Sequence, residues 1–103
     1  MQDIIKVGST PSNSFEMPFK AEQISDIEII YVQSGKQKIL KRKEDIELTD
    51  YLAKVRLSQE DTFALDTNLK VQIQSRIKDS KGNVVLSDIL VVNVEDCLFK
   101  EAF

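Results

Sequence analysis

The sequence predicts a single all-β domain, an antiparallel sandwich spanning residues 1–103. Three observations predict it: strict alternation of apolar and polar residues in the clearest segment, turn residues at short intervals along the chain, and a helical pattern in only one short segment. A chain of 103 residues suits one domain that buries its core without disulfides.

The first strands lie in the N-terminal half. Residues 12–17 form a short predicted strand between Pro11 and Pro18. Proline removes a backbone donor, so this strand is expected at a sheet edge. Residues 24–33, rich in isoleucine and valine, and residues 36–43 are separated by a Ser-Gly turn and form a predicted hairpin.

Two more short strands are predicted at residues 46–48 and 52–57. The next segment, residues 58–65, breaks the alternation. It starts with Ser58 and has Asp61 three positions later, an arrangement close to the capping box that begins a helix. We therefore expect one short helical turn here, linking two strands.

The clearest strand covers residues 69–78, where apolar and polar residues alternate throughout. The turn-forming residues 79–83 follow, and residues 84–94 complete a second hairpin. Short strands, regular turns and one helical turn near residues 58–65 favour an immunoglobulin-like antiparallel β-sandwich. A small closed barrel is the alternative.

The composition argues against catalysis. The chain has no histidine, a single cysteine and three widely spaced glycines. It therefore lacks the usual general base, a cysteine-rich metal site and a phosphate-binding loop. Adjacent carboxylates such as Glu60–Asp61 are explained by solvated turns. We predict no enzyme activity, no catalytic or metal-binding residues and no cofactor.

A local cluster of cations is formed by Lys36, Lys38, Lys41, Arg42 and Lys43. It has two interpretations: lysines that protect an edge strand from aggregation, or a patch for nucleic acid or another anionic partner. No aromatic residue interrupts the cluster, acidic residues follow it, and the net charge is −3. The first interpretation is favoured, and we do not expect a nucleic-acid partner.

Apolar residues exceed what one sandwich can bury, because several occupy both faces of the same predicted strand. Two explanations stay open: bulges that switch the faces, with Ser87–Asp88 as a candidate, or a surface that a partner covers. The predicted interface residues are Ile24, Ile30, Val32, Val85, Ile89, Val91, Leu98 and Phe99. We expect protein partners. No apolar run is long enough to cross a membrane, and the N-terminus has no secretion-signal pattern, so no membrane partner is expected.

Six segments along the chain form a recognisable order: residues 8–11, 15–19, 27–36, 55–62, 71–76 and 87–89. This order resembles a group of small uncharacterised proteins encoded in structural-gene clusters of tailed phages and prophages of Gram-positive bacteria. The layout is also similar to the N-terminal immunoglobulin-like domain of the phage baseplate upper protein. The resemblance extends from Gly8 to about Val94 and departs from the family at Val7 and at Ser58.

The resemblance implies a virion-associated structural or adaptor protein of the tail, baseplate or neck that acts by protein–protein contacts. It would form a homo-oligomer or dock on a larger phage assembly. Its location would be the virion, and the host cytoplasm during assembly. The alternative is a phage-encoded regulator or inhibitor that binds a host protein or nucleic acid. The family implies no catalytic residues.

Overall fold

The structure is a computed structural model that describes residues 4–103. It consists mainly of β-strands with little helix, which confirms the all-β prediction. A short helix, α1, spans Gln59–Phe63, and 3-10 turns lie at Ala21–Gln23 and Lys43–Asp45. The strands are β1 (Ile4–Lys6), β2 (Ser12–Glu16), β3 (Ile24–Gln33), β4 (Lys36–Arg42), β5 (Ile46–Thr49), β6 (Leu52–Arg56), β7 (Val71–Asp79), β8 (Val84–Leu86) and β9 (Leu90–Glu95).

The larger sheet has six strands. Five of them lie in the order β1-β9-β7-β3-β4, and β8 pairs with β7 beside β9. Neighbours are antiparallel except β1 and β9, which run parallel. The sequence did not predict β1, because three residues are too few to show an alternating pattern.

The smaller sheet has three antiparallel strands in the order β2-β6-β5, with β2 at an edge as its flanking prolines predict. Side chains from both sheets form one core between them. Tyr31 of β3 is fully buried there, and its hydroxyl donates to Asn13 Oδ1 of β2 at 2.8 Å. The buried apolar residues are Ile5, Val7, Met17, Ile24, Ile27, Ile29, Tyr31, Ile39, Ile46, Ala53, Val55, Leu57, Leu65, Val71, Ile73, Ile77, Val92 and Val94.

The segment predicted as one strand over residues 84–94 is interrupted at residues 87–89. β8 and β9 both pair with β7, but their registers differ by one residue. An extra residue of this kind is a β-bulge, and it turns the following side chains to the opposite face. Val84 and Leu86 therefore point away from the core, whereas Val92 points into it.

A second bulge corrects the prediction for Ile24. The register between β3 and β7 shifts between Ile24 and Asp26, and the Ser25 hydroxyl donates to two β7 carbonyls at 3.1 and 2.9 Å. Counting by twos along an unbroken strand places Ile24 on the face of Ile30 and Val32. The bulge turns it inward instead, to 6% exposure, so Ile24 belongs to the core and not to an exposed interface.

The helical turn predicted near residues 58–65 is confirmed as α1, which connects β6 to β7. Its capping box is complete: Ser58 N–H donates to Asp61 Oδ2 at 2.9 Å, and Asp61 N–H donates to Ser58 Oγ at 3.0 Å. Thr62 is the fully buried residue of α1, and its hydroxyl accepts from Gly8 N–H at 2.9 Å. The turn thus fixes the loop between β1 and β2.

Candidate functional site

The outward side of the larger sheet carries apolar side chains on both flanks of β7. One strip consists of residues on β3 and β4 that are half-buried, and the other of residues on β8 and β9 that are 52–60% exposed. We call this surface the outer face. Its apolar members are Ile30, Val32 and Leu40 in the first strip and Val84, Leu86 and Val91 in the second.

A polar row on β7 separates the two strips. Gln74 Nε2 donates to the Ser87 carbonyl at 2.8 Å, and Arg76 Nε donates to Glu28 Oε1 at 2.7 Å. Arg42 of β4 lies directly opposite Glu28 in the register. Glu28, Arg42, Gln74 and Arg76 line a groove of about 370 Å³. Apolar strips beside a hydrogen-bonded polar row are the composition expected of a surface that binds another protein.

The structure places the other predicted interface residues in four regions. Ile30, Val32 and Val91 lie on the outer face. Val85 pairs with the buried Ile77 and so points to the inner side, where it is 37% exposed near the end of the sheet. Ile89 lies in the interruption between β8 and β9 and is 54% exposed.

The remaining two, Leu98 and Phe99, belong to the C-terminal segment that follows β9. They are 96% and 80% exposed, and Phe103 in the same segment is exposed as well. The structure therefore does not gather the predicted interface into one surface. Sequence reasoning missed Val84 and Leu86. If the bulge had been placed at residues 87–89, both side chains would have been predicted on the outer face.

The cationic cluster is likewise divided. Lys41 Nζ lies 2.7 Å from Asp61 Oδ2, and both side chains are mostly buried. Arg42 is exposed on the outer face, and Lys43 Nζ donates to the Ser25 carbonyl at 3.2 Å. Lys36 and Lys38 are exposed near the β3–β4 turn. The cluster includes one cation that neutralises an internal carboxylate, which weakens it as an anion-binding surface.

The shifted pKa values have structural causes. Burial, with the nearby Asp61 charge, raises the pKa of the Tyr31 hydroxyl. Burial alone would raise the pKa of Asp61, but hydrogen bonds from Lys41 and Ser58 and the Lys41 charge lower it below its usual value. Hydrogen bonds from Asn83 and Lys81 lower the pKa of Asp79, which closes the β7–β8 turn.

Within residues 4–103 no group of three or more Cys, Asp or Glu side chains is arranged to hold a metal ion. The same part of the chain contains no helix with the length and apolar character needed to cross a bilayer. Comparison of the chain with models of known families, with curated proteins and with solved structures gave no match.

Proposed function

We propose that this chain is a virion-associated adaptor of a tailed phage or prophage, part of the tail, baseplate or neck, and that it acts by protein–protein contacts through the outer face. The observation that carries the binding role is the pair of apolar strips on that face. Val84 and Leu86 are 58% and 60% exposed on an otherwise ordered strand. Exposed apolar surface of this extent on a sheet is typical of an interaction site.

The virion assignment is supported by the resemblance of residues 8–94 to phage structural proteins. The immunoglobulin-like assignment is supported by the strand order. In that fold one sheet holds the first, second, fifth and fourth strands, and the other holds the third, sixth and seventh, with a further strand beside the third in variable-type domains. The smaller sheet here supplies the second, fifth and fourth places with β2, β6 and β5, and the larger sheet supplies the other places with β4, β3, β7 and β9. The first strand differs, because β1 pairs with β9 in the larger sheet.

This chain lacks the disulfide and the buried tryptophan that are typical of antibody domains. The chain has no tryptophan and one cysteine, so it cannot form the inter-sheet disulfide with its packed tryptophan. Tyr31 instead is the fully buried aromatic residue of β3, and its hydrogen bond to Asn13 joins the two sheets. Because folding of this domain requires no disulfide, it is compatible with a reducing compartment.

Mass spectrometry of purified particles from a strain that encodes this chain tests the proposal. We expect the chain in the particles at a fixed ratio to a known tail protein. The variant Val84→Glu/Leu86→Glu should be incorporated ~10-fold less, because two charges would be buried at the contact. Both new carboxylates lie opposite cations, Lys78 and Arg76, so pairing of β7 with β8 is retained.

The control is Leu52→Lys. Leu52 is 47% exposed on the smaller sheet and lies opposite Glu16, so this variant also places a charge at an exposed apolar position beside an opposite charge. It should enter particles as the wild type does. Absence of the wild-type chain from particles would contradict the virion assignment, and equal incorporation of all three proteins would contradict the role of the outer face.

A further inference from the structure

Strand β2 has an unpaired edge. Within residues 4–103 it pairs only with β6. The Pro11 carbonyl accepts from Leu57 and the Met17 N–H donates to Tyr51, so the odd-numbered residues of this stretch direct their backbone groups toward β6. The N–H and C=O groups of the even-numbered residues, Ser12, Ser14 and Glu16, therefore point away from β6 and can accept another strand.

A cleft of about 680 Å³ opens beside this edge, between the two sheets. Its apolar lining comes from Phe15 on one side and from Ile73, Leu90 and Val92 on the other. Phe15 and Leu90 pack on the core but are only half-buried. The cleft thus exposes side chains that a further strand would cover.

Asn13 adds a polar group to the same cleft. Its Oδ1 accepts from Tyr31, which orients the side chain and leaves Nδ2 without a hydrogen-bond partner among residues 4–103. An amide NH₂ donates two hydrogen bonds. The lining thus offers an apolar site at Phe15 and a donor two residues away on the same inward side of β2.

The C-terminal segment, residues 97–103, has the complementary pattern. It lies outside both sheets. Phe99, Glu101 and Phe103 occupy alternate positions, so their side chains would point to the same side of an extended strand. Both phenylalanines are largely exposed. Seven residues in extended form span about 23 Å, which exceeds the ~17 Å of the five-residue β2.

In the same chain this segment begins at the end of β9 farther from Leu90, and it lies there beside β1 and α1. β9 starts with Leu90 in the cleft and ends at Glu95 beside Lys6. Beyond it the segment turns toward α1, where the Phe103 N–H donates to Gln59 Oε1 at 3.0 Å. A second copy of the chain is therefore the better source of the added strand.

We infer that residues 97–103 of one copy enter the cleft of a second copy and extend its smaller sheet beside β2. In an antiparallel register Phe99 lies opposite Phe15 and covers Leu90, while Glu101 lies opposite Asn13 and accepts from Nδ2. Lys100 then lies opposite Ser14, whose backbone groups close the ladder. The contact joins different surfaces of the two copies, so it forms rings or open chains.

This inference goes beyond the proposed function and does not depend on it, because it concerns the smaller sheet and not the outer face. Size-exclusion chromatography with light scattering across a range of concentrations tests it. The wild type should associate as the concentration rises. Deletion of residues 98–103 should give a monomer, and so should Ser14→Pro, which removes the central edge donor and is tolerated at a sheet edge.

Ser14→Ala is the matched control, because it removes the hydroxyl but keeps the backbone N–H, and it should associate as the wild type does. Circular dichroism and thermal unfolding check that each variant is folded. A wild type that stays monomeric overturns the inference. Association that survives both the deletion and Ser14→Pro also overturns it, and would assign self-association to another surface such as the outer face.

Cysteine cross-linking supplies a second measurement that does not require a disruptive variant. Ser14→Cys and Lys100→Cys are made separately in a Cys97→Ser background, so each chain carries one cysteine. Mixed under mild oxidation, they should form the mixed dimer ~10-fold more than Lys100→Cys mixed with Glu47→Cys, since directly opposed residues meet the distance limits of a disulfide. Glu47 lies on β5, the other edge of the same sheet. Equal yields overturn the inference.

Discussion

At the scale of single residues, Gly8 is constrained by its backbone conformation, its packing and its hydrogen bonds. Its φ is +85°, and an added Cβ would lie 3.1 Å from Phe63 Cζ. Its N–H donates to Thr62 Oγ1 at 2.9 Å, and its carbonyl accepts from Gln59 Nε2 at 3.0 Å. Gly8 therefore holds the loop between β1 and β2 against α1 through both of its backbone groups. Its positive φ and its missing side chain make this close contact possible.

We predict that Gly8→Ala lowers the free energy of unfolding by about 2–3 kcal/mol, since alanine adds the strain of a positive φ and a close contact with the Phe63 ring. Gly35→Ala is the control. Gly35 has a φ of +75°, but nothing lies within 4 Å of its added Cβ. Gly35→Ala should therefore lower the free energy of unfolding by only about 1 kcal/mol, the cost of the positive φ alone. Urea unfolding measures both, and equal losses would mean that the Phe63 contact relaxes without cost.

At the scale of secondary-structure elements, the Lys41–Asp61 ion pair connects edge strand β4 to α1. The two charged atoms are 2.7 Å apart, and the side chains are 16% and 22% exposed. Asp61 also caps the helix through Ser58. A pair that is largely removed from solvent contributes more than an exposed one, because water and salt screen it less.

We predict that Lys41→Met lowers the free energy of unfolding by about 1–2 kcal/mol at pH 7. The pKa of Asp61 is lowered in the folded state, so its stabilising effect is complete above the unfolded value near 4 and is lost as the pH falls through the folded value. The difference between wild type and Lys41→Met should therefore shrink in urea unfolding below pH 4.

Lys6→Met is the control for this pH series. Lys6 and Glu95 are 3.9 Å apart and at least half exposed, so removal of that pair should change little at any pH. A Lys41→Met defect that stays constant from pH 7 to pH 2 would contradict an electrostatic origin, and would indicate that the lysine stem acts by packing.

The sequence predicted most elements because alternation is a direct consequence of strand geometry where a strand is unbroken. In β7, Val71, Ile73 and Ile77 are buried as expected. The prediction failed at two bulges, where Ile24 was assigned to the interface and Val84 was left out of it. A bulge inserts one residue into a regular pattern, and only the partner strand reveals which residue is extra.

The candidate surfaces were harder to predict than the strands. Apolar excess in the sequence indicated that some surface is exposed, but the membership of the outer face depends on registers between β3, β4, β7 and β8. The cleft depends on β2 being an unpaired edge next to β9. Both are consequences of long-range pairing, which periodicity within one segment does not encode.

At the scale of the whole molecule, the hydrogen bond from Tyr31 to Asn13 joins the two sheets. Tyr31 is fully buried in the larger sheet, whereas Asn13 lines the cleft beside the smaller one. Burial and the Asp61 charge raise the pKa of the hydroxyl, so the folded state keeps this proton at a pH where the unfolded chain loses it. The protein should therefore lose stability as the pH rises above 10.

We predict that Tyr31→Phe is about 1 kcal/mol less stable than the wild type at pH 7, through loss of one hydrogen bond. Above pH 10 the wild type should lose up to about 1.4 kcal/mol per pH unit that the variant does not lose, so the gap closes and then reverses. Urea unfolding between pH 7 and pH 11 measures this. Tyr51→Phe, which removes a tyrosine that is 49% exposed, should keep the alkaline loss of the wild type. Identical alkaline slopes for wild type and Tyr31→Phe would show that the Tyr31 hydroxyl ionises without opening the interface between the sheets.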